Sequence, residues 1–191
     1  LPQNHACQQA PYCDALADEL RQQTYHGRKI EVEIDGRDLR GGEKNWQWVK
    51  KGVPVRLEVG PRDMANDSVF MARRDKPAKE KASVPKKQFV SEIVKLLDEI
   101  QQGMFERALA FRESHTHAID TKEAFYEFFS QDSGGGFAST HYNGDPELEG
   151  QIKNDLQVTV RCVPRQANAE PGTCAFTGEP SVQRVIWGKS Y

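Results

Sequence analysis

The chain has 191 residues, enough for one large domain or two small ones, and its 26 basic and 28 acidic side chains nearly cancel. No run approaches the roughly 18 apolar residues of a membrane span, and no signal peptide is visible. Four cysteines, Cys7, Cys13, Cys162 and Cys174, are too few and too irregularly spaced for a disulfide framework, so a reducing cytoplasm is the expected setting.

A first residue of Leu1 instead of methionine suggests a piece of a longer chain. Residues 8–24 read as an amphipathic helix with Tyr12, Leu16, Ala17 and Leu20 on one face. Lys29 to Ile34 alternates, with Ile30, Val32 and Ile34 on one side, and predicts a half-buried strand. No strand precedes the helix, which fits a sheet lacking its first strand. Gly41-Gly42 then break the chain before a short helix carrying Trp46 and Trp48. A second strand is expected from Val53 to Val59, with Arg56 and Glu58 on its polar face, and a third from Val69 to Ala72. This rhythm is that of a small α/β domain.

Lys76 to Lys81 reads as a surface linker. Beyond Pro85, apolar residues from Phe89 to Phe111 recur every three or four positions and predict a helix of about 30 residues, long enough to join two domains. Asp120 and Glu123 form a capping-box pattern before Phe125, Phe128 and Phe129. Ser133 to Gly136 is a flexible loop by composition, and Asp145-Pro146 opens a helix to Asp155. Leu156–Val163 and Val182–Trp187 read as strands.

The balanced total charge hides a local bias. Residues 37–81 hold 12 Lys/Arg against 7 Asp/Glu, while both flanks are net acidic. Arg37, Arg40, Lys44, Lys50, Lys51, Arg56 and Arg62 could meet phosphates or the acceptor edge of guanine, and Trp46 and Trp48 could stack bases. Two rings at i and i+2 on a helix cannot share a face, so at least one is expected to be packed. A solvated polar surface explains the same cations, and both readings stay open at this level.

Metal and catalysis are poorly supported. No Cys-x-x-Cys pair exists, Cys162 and Cys174 are far apart, and buried small hydrophobes are the simpler use of the cysteines. Gly134-Gly135-Gly136 lacks the Lys-Ser/Thr of a nucleotide loop, and no catalytic centre is visible.

The segment Lys51-Gly-Val-Pro-Val-Arg-Leu-Glu-Val-Gly-Pro-Arg-Asp63 resembles the anticodon-binding domain of prolyl-tRNA synthetases of the archaeal/eukaryotic type. Residues Gly135 to Phe137, Val160 to Pro164, Gly172 to Cys174, Gly178 to Ser181 and the final Tyr191 are similar to the extra C-terminal domain of those enzymes. The resemblance implies an α/β fold in two parts. A small mixed-sheet anticodon-binding domain (1–103) would be joined by a long helix to a small α/β C-terminal domain (104–191). It further implies that Arg56 and Arg62, with Asp63 beside them and Lys51, Trp46 and Trp48 nearby, meet the guanines of the proline anticodon. Tyr191 would contact a catalytic domain of the same polypeptide, absent from this chain. The full enzyme would be a cytoplasmic homodimer using ATP and magnesium to join proline to its tRNA, and this piece alone would be inactive and without cofactor. Two positions depart from the family pattern. Val49 stands where an acidic residue often follows the tryptophan aligned with Trp48, and Asn45 stands where an aromatic ring stacks on a base, leaving Trp46 as the available ring. Of the zinc-binding cysteines in some members only Cys174 remains, the others aligning near Asn143, Leu148 and Thr177, so zinc is not expected. A free-standing relative binding another RNA, or a protein-interaction module without RNA, would share the same sequence features.

Overall fold

The computed structural model describes residues 3–130, 135–165 and 170–190, with side chains from residue 9 onward. The chain forms two units, residues 1–107 and 108–191, dividing inside a long helix.

In the first unit, helix α1 (Gln3–Arg21) leads into a two-residue hairpin of β1 (Thr24–Tyr25) and β2 (Arg28–Lys29). His26 and Gly27 turn it at positive φ, and Gly27 supplies that conformation without a Cβ penalty. Helix α2 (Gly41–Lys50), strand β3 (Val55–Glu58), the single turn α3 (Pro61–Ala65), β4 (Ser68–Arg73) and β5 (Lys81–Pro85) follow, then helix α4 (Lys86–Ser114). Strands β3, β4 and β5 form one antiparallel sheet in that order.

The core of this unit lies between the sheet and the two longer helices. Leu16 and Leu20 of α1 and Phe89 and Ile93 of α4 enclose Val69 of β4, with Val55, Leu57 and Met71 beside them. These are the positions that the i, i+4 spacing of the helices and the two-residue period of the strands bring to one face. The opposite face of β3 carries Arg56 and Glu58, so the strand's alternation decides which residues stay available to a ligand.

The expected strand at Lys29–Ile34 is corrected. Only Arg28 and Lys29 pair, and residues 30–34 run without a ladder. Ile30 and Val32 still pack against the core, so the alternation reported side-chain burial faithfully. A strand also needs a continuing backbone ladder, and here it stops after one further bond, Ile30 N to Gln23 O at 3.1 Å; Val32 O accepts from Arg21 Nη2 at 2.9 Å. The linker reading of Lys76–Lys81 is corrected at its end, because Lys81 begins β5, which pairs with β4 through Ala72↔Lys81 and Ser68↔Pro85.

In the second unit, β6 (Thr116–Ala118) is followed by α5 (Lys122–Ser130), β7 (Phe137–His141), α6 (Pro146–Leu156), β8 (Val158–Cys162), β9 (Gly172–Thr173), β10 (Pro180–Ser181) and β11 (Arg184–Lys189). The four-stranded sheet has the order β6-β7-β11-β8, with β6 parallel to β7 and the other pairs antiparallel. Strands β9 and β10 form a separate small hairpin. Asp145 caps α6 as expected, its carboxylate accepting from Glu147 N at 2.9 Å with Pro146 in the first turn. At α5 the expected capping box is corrected: Thr121 Oγ1 accepts from Ala124 N, while Asp120 receives Arg184 Nη2 at 2.6 Å. Strands β6 and β7 carry no strong alternation of their own and form because the neighbouring sheet completes their hydrogen bonds.

The core of the second unit is aromatic. Trp187 and Phe125 are wholly buried, with Phe129, Ile152, Val158 and Val185 around them. Of the expected loop Ser133–Gly136, Ser133 and Gly134 lie outside the described residues, as does the terminal Tyr191.

Candidate nucleic-acid interface

Helix α2 is a poor helix by local rules. It starts with two glycines, and Arg40 at its N-cap makes no side-chain capping bond. Tertiary ties from the preceding loop hold it instead. Trp48 Nε1 donates to Asp35 Oδ2 at 2.7 Å, and Lys44 Nζ donates to the Asp35 carbonyl at 3.1 Å. Arg37 grips the same carboxylate through Nε and Nη2 at 2.8 and 2.6 Å, while its Nη1 donates to Gln47 Oε1 at 2.6 Å. The Arg37 bonds, followed by the Trp48 bond and against the opposing effect of burial, hold the Asp35 carboxyl well below its ordinary range. Asp35 escaped the sequence reading, since it is one of four carboxylates, Glu31, Glu33, Asp35 and Asp38, upstream of the tryptophan-bearing helix and nothing local singles it out.

The two tryptophans take different positions, as their spacing required. Trp48 is half-buried and Trp46 is 58% exposed. Lys51 Nζ lies 4.2 Å from the Trp48 ring centroid and the Arg37 guanidinium 5.7 Å from it; Lys50 Nζ lies 5.6 Å from the Trp46 centroid. An exposed cation–π contact contributes about 0.5–1 kcal/mol. Base stacking on an aromatic side chain contributes about 1–3 kcal/mol. A base can therefore displace Lys50 from Trp46, and the freed ammonium remains beside it for a phosphate.

Arg56 projects from β3 beside α2. It is half-buried, its Nε donates to Asn45 Oδ1 at 2.9 Å, and its Nη1 approaches Val53 O at 3.4 Å. Asn45 thus makes a direct contact with the arginine, a role that its place in a ring's position did not suggest. Beyond the Gly60-Pro61 turn, Asp63 Oδ2 accepts from Gly60 N at 2.8 Å and closes the start of α3. This fixes the backbone that carries Arg62, which is exposed and has no side-chain hydrogen bond or ion pair among the described residues. Val49 is half-buried on α2. Trp46 and Trp48 thus lie on α2 with Lys51 at its C-cap over Trp48, Arg56 meets the helix at Asn45, and Arg62 and Asp63 belong to the turn after β3. Tyr191 is not among the described residues.

The cysteines divide. Cys174 is buried and Cys13 half-buried, but Cys162 is exposed, which corrects the reading of all of them as buried hydrophobes. Near Cys174, the aligned positions Asn143 and Thr177 form a hydrogen-bonded knot. The Cys174 thiol approaches Asn143 Oδ1 at 3.8 Å, and Asn143 Nδ2 donates to Glu179 Oε2 at 2.6 Å. Burial pushes the thiol up, and bonds from Thr177 and nearby backbone N–H groups outweigh it, so the net direction is downward. Leu148 instead packs against the aromatic core. Among the described residues no cluster of three His, Cys, Asp or Glu side chains could hold a metal ion, and no helix is long and apolar enough to cross a membrane.

With this geometry in hand, comparison with known proteins defines the class. Residues 1–96 match the family model for the anticodon binding domain, and the chain belongs to that family. Residues 125–191 match the model described as prolyl-tRNA synthetase, C-terminal. The two matches lie in that order along the chain, the first within residues 1–96 and the second within residues 125–191. It is 51% identical over 190 residues to proline–tRNA ligase 2 of Anaeromyxobacter dehalogenans, covering 94% of this chain and 37% of that protein. A proline–tRNA ligase of Protochlamydia amoebophila is 43% identical over 187 residues, with the same coverages. Among solved structures, prolyl-tRNA synthetase from Cryptosporidium parvum complexed with L-proline and AMP superposes with a TM-score of 0.76 at 25% identity, over 96% of this chain and 37% of that one. The chain thus spans little more than a third of the length of the relatives it matches.

Proposed function

We propose that this chain reads the anticodon of proline tRNA as the C-terminal part of a proline–tRNA ligase. The observation that carries the reading is, in a member of the anticodon-binding family, the hydrogen bond of Arg56 to Asn45 on the basic helix that also carries exposed Trp46 and cation-capped Trp48. Arginine offers guanine's O6 and N7 two parallel donors, while Trp46 offers a flat face to an unstacked base. Arg56 and Arg62 are assigned the guanines of the proline anticodon, and Lys51 and Lys50 its phosphates. Asp63 acts by fixing the turn that presents Arg62.

The full enzyme, on this reading, is a cytoplasmic homodimer in which a separate catalytic domain uses ATP and magnesium, with Tyr191 contacting that domain. On the same reading the chain should not aminoacylate alone. Zinc is not required, because the hydrogen bonds of Asn143 with Cys174 and Glu179 tie together the loops that metal-binding cysteines would otherwise link.

Binding of a proline anticodon stem-loop, measured against a loop with both guanines replaced, tests the reading. The guanine loop should bind at least tenfold more tightly, corresponding to about 1.4 kcal/mol within the range of a bidentate contact. Arg62→Ala should reduce that preference, whereas Lys79→Ala should lower both affinities alike. Equal affinity of the unaltered chain for both loops would exclude anticodon reading.

A further inference from the structure

A guanidinium carries five N–H donors along two bidentate edges, the side edge Nε/Nη2 and the end edge Nη1/Nη2. In Arg56 the side edge is already engaged, because Nε donates to Asn45 Oδ1 at 2.9 Å. The longer approach of Nη1 to Val53 O, 3.4 Å, can use only one of that nitrogen's two hydrogens. What remains free as a parallel pair is the end edge.

The two partners sit on elements fixed independently of each other. Asn45 lies within α2, which the Asp35 contacts of Trp48 and Lys44 hold. Arg56 lies in β3, held by its ladder to β4 at Arg56↔Ala72. A hydrogen bond between two such elements restricts the arginine's long side chain before any ligand arrives, so less rotamer freedom remains to be lost on binding. Both residues are half-buried, which reduces competition from water.

We infer that Asn45 is a positioning residue for specificity: it occupies Nε of Arg56 so that the end edge alone faces O6 and N7 of one anticodon guanine. With its carbonyl oxygen committed to Arg56, Asn45 offers the ligand only its amide N–H groups. The pair therefore presents donors and no acceptor. The amino group of adenine or cytosine on the same edge would meet donors and stay unpaired, so these bases are rejected. This inference rests on the anticodon reading above and deepens it.

The test uses the 191-residue chain and anticodon stem-loops in which each guanine is replaced singly by 7-deazaguanine, which lacks the N7 acceptor and keeps the Watson–Crick edge. At one of the two positions the replacement should weaken binding by about tenfold, within the range for a lost bidentate contact. Asn45→Ala should reduce that sensitivity to about twofold, because a freely turning guanidinium keeps its charge but not its aim. Alanine favours the helix, and circular dichroism should show α2 intact. Asn45→Asp keeps an acceptor for Nε and should restore the sensitivity even where its charge lowers both affinities. Retention of the full sensitivity in Asn45→Ala, or equal weakening of both loops by it, overturns the inference. If the unaltered chain prefers guanine loops yet ignores 7-deazaguanine at both positions, the inference fails and anticodon reading survives. If it prefers neither loop, the reading fails as well.

Discussion

Trp46 and Trp48 of the first unit lie beneath cations, whereas Trp187 of the second lies among other rings. Lys50, Lys51 and Arg37 approach the α2 tryptophans at 5.6, 4.2 and 5.7 Å. Trp187 meets Tyr142, Phe125 and Phe176 edge-on, with centroids 5.1, 5.5 and 5.8 Å away, and is wholly buried. A ring enclosed by rings gains its stabilisation from burial and quadrupole geometry, and nothing outside can replace those neighbours. A ring under a mobile lysine keeps a face that a better partner can take. The same side chain therefore specifies a core in one unit and an exchangeable surface in the other.

The comparison breaks most visibly at Trp187. Trp187→Ala should cost about 3–5 kcal/mol, the range for removing a large aromatic side chain from a core. Denaturant unfolding followed by circular dichroism would show the loss, and a cost below about 1 kcal/mol would mean that the cluster collapses to fill the gap. The indole N–H of Trp187 has no hydrogen-bond partner among the described residues, so the loss is one of packing. Trp46→Ala should do the opposite, leaving stability within about 0.5 kcal/mol, as for an ordinary surface change. Its cost should fall on stem-loop binding, by about 1–3 kcal/mol. If stability falls and binding does not, Trp46 is a packing residue. The smallest effect concerns Asp35. Its carboxyl titrates lower in the folded chain than the unfolded value near 3.9, so its contribution is complete above about pH 4 and declines as pH falls towards the folded value. Stability should accordingly fall more steeply below about pH 4 in the unaltered chain than in Asp35→Asn. Parallel pH profiles would show that the contacts of Arg37 and Trp48 do not favour the ionised form.

The legibility of these features in the sequence follows the range of the forces involved. Helix α4, the Asp145-Pro146 start of α6 and the core face of β3 rest on near-neighbour spacing, and their residues declare them. Strand β5 does not, because Lys81 to Pro85 becomes a strand only through its ladder with β4. Residues 30–34 show the converse, a convincing alternation without a strand ladder. At the site, the sequence groups the cations and tryptophans by proximity along the chain. The pairing of Arg56 with Asn45 and the tether of Trp48 to Asp35 span 11 and 13 residues between separate elements, and no local pattern encodes them. Asn45 reads in the sequence as a lost ring and becomes in three dimensions a hydrogen-bond acceptor.

Gly172, where β9 crosses the buried His141, has a consequence for how this unit can vary. A Cβ built there would lie 2.4 Å from His141 Nε2, well inside any real contact, and the imidazole is 5% exposed with nowhere to retreat. The two positions are thus sterically locked together. A side chain can arise at 172 only alongside a smaller residue at 141, and either change made alone leaves a clash or a void, so drift at this corner of the fold must proceed by paired replacement.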